Sequence, residues 1–569
     1  MYRTEHPNPQ FKRDSFICLN GSWGFQKGKY EEVDPSRLTG KIEVPFCPES
    51  SLSGIGDKSY FTDCVYSRNI EINKEDLNGR LALHFGAVDY FAAVYVNGVK
   101  AAEHTGGYTA FEADITRFVR EGGNLIAVAV HDDVRENIPS GKQSKEEISH
   151  GCFYTRSTGI WQTVWLEKTP EKYVKSVKFY PQSDYATVKT EIFTEGCGKA
   201  EIKVFYKGKP VGSAEGCVEY RGVFDISLSE THLWEIGKGE LYDVEITFGQ
   251  DKVQSYFGFR LVSYEGKKFL LNGKSVFQRL VLDQGYYEDG IYTAKDADQF
   301  KEDIELSRSL GFNGARLHQK VFEQRYLYEC DKAGYIVWGE FPSWGMKYDS
   351  VKSLGTFVAQ WTEVVEQYFN HPSIITWCPL NEVWEDLEND KLVRDVRFVE
   401  TAYLVTKTLD GTRPCVDTSG GYHGKYTDVF DFHNYHLSDE TLLFVDDITR
   451  KNMLSMDKTY APEAARENIP YDGELPLNAS EYGGLSFCGK DGGWGYHSVA
   501  SEEEFLSEYI KTTGSYLSCG KISGFCYTQL YDVEQEQNGL FSYGRKIKFS
   551  ERIMKKIAEC NRRRAAIEE

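Results

Sequence analysis

Two acidic positions in this 569-residue chain sit where their side chains could do chemistry together. Cys378-Pro379-Leu380-Asn381-Glu382 closes an apolar run over Ile374–Pro379, and Asn478-Ala479-Ser480-Glu481-Tyr482 closes another over Pro476–Ala479. A lone glutamate at a strand end is more often an ion-pair partner or a helix cap. Two of them, at the fourth and seventh of a series of such runs, can meet at the mouth of a closed parallel sheet. Two carboxyl groups flanking one bond are what glycoside hydrolysis requires: one stays protonated to serve the leaving oxygen, and the other is ionised to attack the anomeric carbon. Asn381, beside Glu382, adds a group that can bond a sugar 2-hydroxyl, a contact that strengthens in the transition state. The residues alone leave open which glutamate takes which role.

The elements that must position these side chains follow from the pattern. After about residue 262, apolar runs alternate with amphipathic helical stretches. The runs are Val276–Leu282, Asn313–Leu317, Tyr335–Gly339, Ile374–Pro379, Cys415–Thr418, Val429–Phe432, Pro476–Ala479 and Ile522–Thr528. Helices are expected at Asp296–Leu310, Glu323–Ala333, Leu354–Phe369, Leu392–Leu409 and Ser501–Ser515, with 548–567 as the closing helix. Eight runs in about 300 residues predict a (β/α)8 barrel over 262–569, with catalytic groups at the C-terminal strand ends. Upstream the grammar is β. Residues 1–170 read as an antiparallel β-sandwich, with Asn97-Gly98 as a hairpin turn after Phe91–Val96. Residues 171–261 continue with Val174–Tyr180, Ala186–Phe193, Ala200–Tyr206, Gly222–Leu228 and Leu241–Phe248, a spacing that suits an immunoglobulin-like sandwich.

Read in order, the other strand ends offer further side chains: Asp283 and Gln284, then Arg316 and His318, then Glu340 and Trp344. His433, Asn434 and Tyr435 end the sixth run, and Tyr527, Gln529, Tyr531, Asp532 and Glu534 surround the end of the eighth. Several can bond sugar hydroxyls, and Trp344, Trp384 or Tyr527 could stack on a ring face. Arg316 is expected beside Glu481, where a cation would keep the carboxylate ionised. For His318 and His433, a satisfied structural histidine and a ligand to sugar weigh equally. Trp23, Trp161 and Trp165 are expected in the sandwich core.

Composition narrows the partners. Asp and Glu outnumber Lys and Arg by 86 to 66, a net charge of −20, which argues against nucleic acid or an anionic membrane as partner. The 13 cysteines show no CxxC pair, so neither zinc nor a disulfide framework is expected. The start, MYRTEHPNPQFKR, lacks an apolar core of the signal-peptide kind, and no stretch approaches the ~18 apolar residues of a membrane span. A cytoplasmic protein without metal or cofactor is the expectation.

At this point the chain resembles glycoside hydrolase family 2, the family of β-galactosidases, β-glucuronidases and β-mannosidases. Leu19-Asn20-Gly21-Ser22-Trp23, Val44-Pro45-Phe46, Phe85-Gly86-Ala87-Val88-Asp89, the stretch from His104 to Phe111 and Gly159-Ile160-Trp161-Gln162 resemble its sugar-binding jelly-roll domain. Gly258-Phe259-Arg260, followed by Leu271-Asn272-Gly273-Lys274, resembles the junction into its barrel. His371-Pro372-Ser373-Ile374 through Asn381-Glu382 resembles the acid/base signature, and Ser480-Glu481-Tyr482-Gly483-Gly484 the nucleophile signature. The resemblance implies a retaining exo-glycosidase with Glu382 as acid/base and Glu481 as nucleophile. Self-association is a further family expectation. A non-catalytic carbohydrate-binding protein on the same scaffold is the alternative, but loss of a glutamate would be its mark and both are present.

Departures from the family pattern bear on the sugar. Arg316-Leu317-His318-Gln319 stands where many members read R-x-S-H, and Cys152 to Gly159 carries no acid. Family glucuronidases hold the sugar carboxylate with an Asn-x-Lys pair, whereas Asn538-Gly539-Leu540 has no such lysine. A neutral, β-galactoside-like glycone is therefore expected, with uronides or arabino- and galactofuranosides as alternatives. Arg156 and Lys320 are the substitutes that could serve a uronate.

Overall fold

The computed structural model describes residues 3–135, 137–383, 395–420, 423–451, 471, 473–487 and 493–569. In the first domain two antiparallel sheets face each other. One runs in the order Ile17–Cys18, Val164–Thr169, Arg80–Phe85, Phe111–Asp114. The other runs Gly40–Val44, Gly21–Lys27, Asp63–Ile72, Gly122–His131, Phe91–Val96, Val99–Thr105. Alternating apolar residues fill the space between them: Trp23, Tyr66, Phe85, Val94 and Val128 are all buried. Asn97 and Gly98 turn the last hairpin with φ of 51° and 82°, the left-handed pair that matches strand twist. Trp161 departs from expectation. Its Nε1 donates to Gly107 O at 2.8 Å and its ring packs with Tyr108 of its own domain and with Tyr292 of the barrel, so it joins the two domains. Trp165 is buried and stacks on His84.

The second domain is built on one long hairpin. Ala186–Phe193 and Ala200–Tyr206, two segments in the pattern, are halves of a single strand, Thr187–Tyr206. Its first half pairs with Tyr173–Pro181 and its second with Tyr242–Phe248, which in turn pairs with Asp251–Phe257. A bulge between Phe193 and Cys197 bends it, and Lys209–Ser227 follows it along its length.

The barrel strands are Gln278–Asp283, Gly314–Leu317, Ile336–Glu340, Ile374–Cys378, Phe430–Asn434, Leu477–Gly483 and Ile522–Thr528. Neighbours are parallel, from Ile374–Cys378 round through Gln278–Asp283 to Phe430–Asn434. The fifth run, Cys415–Thr418, joins Ile374–Cys378 only through short bridges, with Val416 N donating to Trp377 O and Ser419 N to Leu380 O, both at 2.9 Å. Apart from half-buried Arg279, the strands of this sheet are buried along their length, because helices cover the outside. Leu280, Leu282, Trp338, Ile375, Val416, Val429 and Cys526 fill the interior. The expected helices form at Ala297–Ser309, Gln324–Ala333, Val351–Tyr368, Val396–Leu409 and Glu502–Ser518, and the closing one is Glu551–Asn561. A further helix, Ser438–Lys451, escaped the pattern because exposed Leu442 and Leu443 blur its apolar stripe. No described helix is long and apolar enough to cross a membrane.

Candidate active site

Arg316, at the end of the second strand and fully buried, organises the mouth. Its Nε donates to Glu340 Oε2 at 2.7 Å, Nη1 to Glu481 Oε1 at 2.6 Å, and Nη2 to Asn381 Oδ1 at 2.6 Å. One planar guanidinium thus fixes the ends of strands three, four and seven. Glu340 is the internal partner of that cation and also accepts from Gln319 N at 2.9 Å. It supports the site rather than facing the sugar.

Glu481 reaches the mouth because its strand breaks register between Ala479 and Tyr482. Strict alternation would send Ser480 and Glu481 to opposite faces, whereas the irregularity lets both point inward, Ser480 toward Ser419 and Glu481 toward Arg316. Tyr435 Oη donates to Glu481 Oε2 at 2.5 Å and lies 3.0 Å from Thr528 Oγ1, its ring stacked on Tyr496. Burial alone would raise the Glu481 carboxyl. The charges of His433 and Arg316, with the Tyr435 hydroxyl, instead hold it at about 2.

Glu382 sits in the opposite setting. Burial pushes its carboxyl above the ordinary range, the Glu481 charge adds to that, and His433 opposes it. Its backbone is left-handed, with φ of 45°, a strained conformation for a residue with a Cβ. His433 bridges the pair, with Nδ1 2.6 Å from Glu382 Oε1 and Nε2 3.4 Å from Glu481 Oε1. Ligand atoms of Glu382, His433 and Glu481 all lie within 4.8 Å of one another. A cation placed there would occupy both carboxylates, which glycoside hydrolysis needs free.

The two histidines differ. His433 is raised, since its glutamate neighbours outweigh its burial. His318 is pushed far down by burial, with Lys142, Arg316 and His433 opposing a second positive charge, although Nδ1 stands 3.1 Å from Glu340 Oε1. Asn381 accepts from Arg316, while its Nδ2 has no partner among the described residues. That donor remains for a ligand. Trp344 stands at the rim, half-buried, with Nε1 donating to Asn381 O at 3.1 Å.

Besides Glu340, two of the expected site residues are placed otherwise. The oxygens of Asp283 are taken by Gly285 N, Tyr326 Oη and Tyr531 Oη, so its role is structural. Tyr527 lies outside the barrel wall, its ring against Tyr482 and Tyr509. The period of two puts Cys526 in the interior and Thr528 at the mouth, and leaves Tyr527 facing the helices. Trp384 lies outside the described residues. Three groups at the mouth went unread in the sequence: Ser419, whose Oγ lies 3.1 Å from His433 Nε2, Tyr496 behind Tyr435, and Lys142 of the first domain. Ser419 directly follows the fifth run, Cys415–Thr418, and was passed over there, whereas neither Tyr496 nor Lys142 follows a strand signal.

Comparison with known proteins identifies the three domains. The chain matches "Glycosyl hydrolases family 2, sugar binding domain" over 51–170, "Glycosyl hydrolases family 2" over 172–260 and "Glycosyl hydrolases family 2, TIM barrel domain" over 262–514. It is 27% identical to a β-glucuronidase of Canis lupus familiaris over 77% of this chain and 73% of that one. It is 25% identical to a β-galactosidase of Thermoanaerobacterium thermosulfurigenes over 71% of this chain and 58% of the other. A Formosa agariphila relative, 28% identical over 57% of this chain, is matched over only 40% of its own length. Among solved structures, a β-glucuronidase of an uncultured Clostridium species superposes with a TM-score of 0.79 at 22% identity, covering 97% of this chain and 99% of that one, a likeness of fold. With three family domains in order along the chain, this protein belongs to glycosyl hydrolase family 2 and is a glycoside hydrolase.

Proposed function

We propose that the protein is a retaining exo-β-glycosidase acting by double displacement, with Glu382 as acid/base and Glu481 as nucleophile. The carrying observation is a pair of carboxyl groups in close reach but in opposite electrostatic settings, one raised and one held near 2. An oxygen of each carboxylate within 4.8 Å of the other fits the ~5–5.5 Å spacing of retaining enzymes better than the ~6.5–9.5 Å of inverting ones. Glu382 protonates the glycosidic oxygen as Glu481 attacks the anomeric carbon from the opposite face. The aglycone departs and a glycosyl ester forms on Glu481. Glu382, now ionised, takes a proton from water, which attacks the same carbon and releases Glu481. Arg316 and Tyr435 orient the nucleophile, and Asn381 Nδ2 meets the 2-hydroxyl.

For the glycone we infer a β-linked uronic acid, β-glucuronides first. The β-glucuronidases among the relatives support this reading over the β-galactoside-like expectation. The neutral-sugar reading keeps one observation in its favour: Leu540, fully buried, stands where family glucuronidases carry the lysine. The ratio of kcat/KM for 4-nitrophenyl β-glucuronide and β-galactoside decides. A ratio favouring the galactoside tenfold, about 1.4 kcal/mol of transition-state preference, rejects the uronide.

A further inference from the structure

A uronate carboxylate taken out of water must meet a cation, or its desolvation costs several kcal/mol. The cations considered from sequence are committed elsewhere. Arg316 is saturated by Glu340, Glu481 and Asn381. Lys320 donates to Gly285 O and Tyr292 O within a cage of aromatic rings, and burial pulls it down to about 7. Arg156 is buried inside the first domain, donating to the carbonyls of Lys58 and Ser59.

Among the described residues, one cation at the mouth is uncommitted. The first domain sends a loop across to the barrel, where Ser140 N donates to Trp344 O at 2.8 Å and Gly141 N to the same oxygen at 3.1 Å. At Gly141 φ is +55°, and a Cβ would stand 2.1 Å from Gln319 O, so only glycine allows this approach. The next residue is Lys142. Its backbone is held by Tyr154 N donating to Lys142 O at 2.8 Å, and Gln143 beside it is fixed by Asp89, Tyr108 and Ser157. The Lys142 side chain is 6% exposed. Its Nζ stands 5.3 Å from the centroid of Trp344, the rim residue that itself bonds Asn381, and 5.8 Å from that of Tyr154. No described residue takes a hydrogen bond or ion pair from it. Burial works against its charge, yet Cys152, Glu536, Glu481 and Glu382 around it raise its pKa, so the ammonium stays charged. A buried lysine with locked backbone, aimed at the site and given no internal partner, is a built half of an ion pair.

We propose that Lys142 is the specificity-determining residue of this site, its ammonium pairing with the carboxylate of a uronic-acid glycone in place of the lysine absent after Asn538. The inference rests on the uronide reading of the preceding subsection. It also explains why a first-domain loop is pinned to the barrel mouth: the cation comes from the sandwich, not from a barrel strand.

The test is Lys142→Met in the full chain, with Lys142→Gln as the second variant and thermal unfolding as the check on folding. Each is assayed on 4-nitrophenyl β-glucuronide and on the β-glucoside, which differ only at C6. The expected result is a fall in kcat/KM of about a hundredfold or more on the glucuronide and a change within about threefold on the glucoside, since truncating one partner of a buried charge pair exposes only the charged ligand. Lys142→Arg should recover part of the loss. Should both truncations unfold, competitive inhibition of the wild type by free glucuronate but not by glucose is the expected substitute, and equal inhibition overturns the proposal. Equal losses on both glycosides overturn it too, marking Lys142 as a general support of the catalytic pair. A wild type that prefers the glucuronide, with a preference unmoved in Lys142→Met, overturns the assignment of Lys142 alone. A wild type that prefers the neutral glycoside overturns the uronide reading with it, and one inactive on every glycoside overturns the glycosidase reading beneath both.

Discussion

Replacing Glu382 by glutamine removes the proton donor while keeping the shape of the side chain, and its cost should depend on the leaving group. The partner glutamate keeps its setting, because Arg316 at 2.6 Å and Tyr435 at 2.5 Å still hold Glu481 ionised. The first displacement therefore loses only protonation of the leaving oxygen. Glu382 is the member of the pair that carries this proton, since its carboxyl is raised while Glu481 is held ionised. The full general-acid contribution, about 10²–10⁴-fold, should be lost for a poor leaving group such as an alkyl alcohol. At 1.36 kcal/mol per tenfold that is about 3–5 kcal/mol. For a dinitrophenolate, which departs without a proton, the first step should fall by less than about tenfold. The second displacement also loses its base, so the glycosyl ester should accumulate. Stopped-flow release of the phenolate then shows a burst close to one equivalent per site, followed by a slow steady state. Equal losses across aglycones, with no burst, would refute the acid/base role of Glu382.

Arg316→Met should abolish turnover and also destabilise the fold by about 3–5 kcal/mol, because Glu340 and Glu481 would remain buried without their cation; denaturant unfolding reads this, and a loss below 1 kcal/mol speaks against the network. Asn381→Ala should slow hydrolysis of an ordinary glycoside about tenfold or more but leave the 2-deoxy glycoside nearly unchanged, and equal effects on both would remove Asn381 from the 2-hydroxyl. In the pH profile of kcat/KM, Glu382 must be protonated and its pKa is raised, so activity is present below that pKa and lost as pH rises through it. Glu481 must be ionised and stands at about 2, so no acid limb should appear near the ordinary glutamate value of about 4.3.

The two glutamates were legible because each stands two or three residues past the end of an apolar run, so counting runs placed them at strand ends before any contact was known. Arg316 was legible because it stands near the end of the second run, Asn313–Leu317. What failed was face. Tyr527 and Thr528 are adjacent, and no periodicity told which one turned inward; the barrel interior takes Cys526 and leaves Tyr527 to the helices. Glu481 points inward only because of a register break that composition does not encode. Trp161 looked like sandwich core because its neighbours are, yet it fills the contact with the barrel. Lys142 was invisible for a further reason: it lies far from any barrel strand in sequence, and its place at the mouth depends on Gly141 fitting against Gln319.

The most direct test of the central claim is to trap the intermediate. A 2-deoxy-2-fluoro glycoside with a good leaving group slows both displacements, by destabilising positive charge at the anomeric carbon, but leaves the first able to proceed. Incubated with the protein and followed by peptide mass spectrometry, it should add one glycosyl group per chain, as an ester on Glu481. A label on any other residue, or no label together with release of product of inverted configuration, would contradict the account.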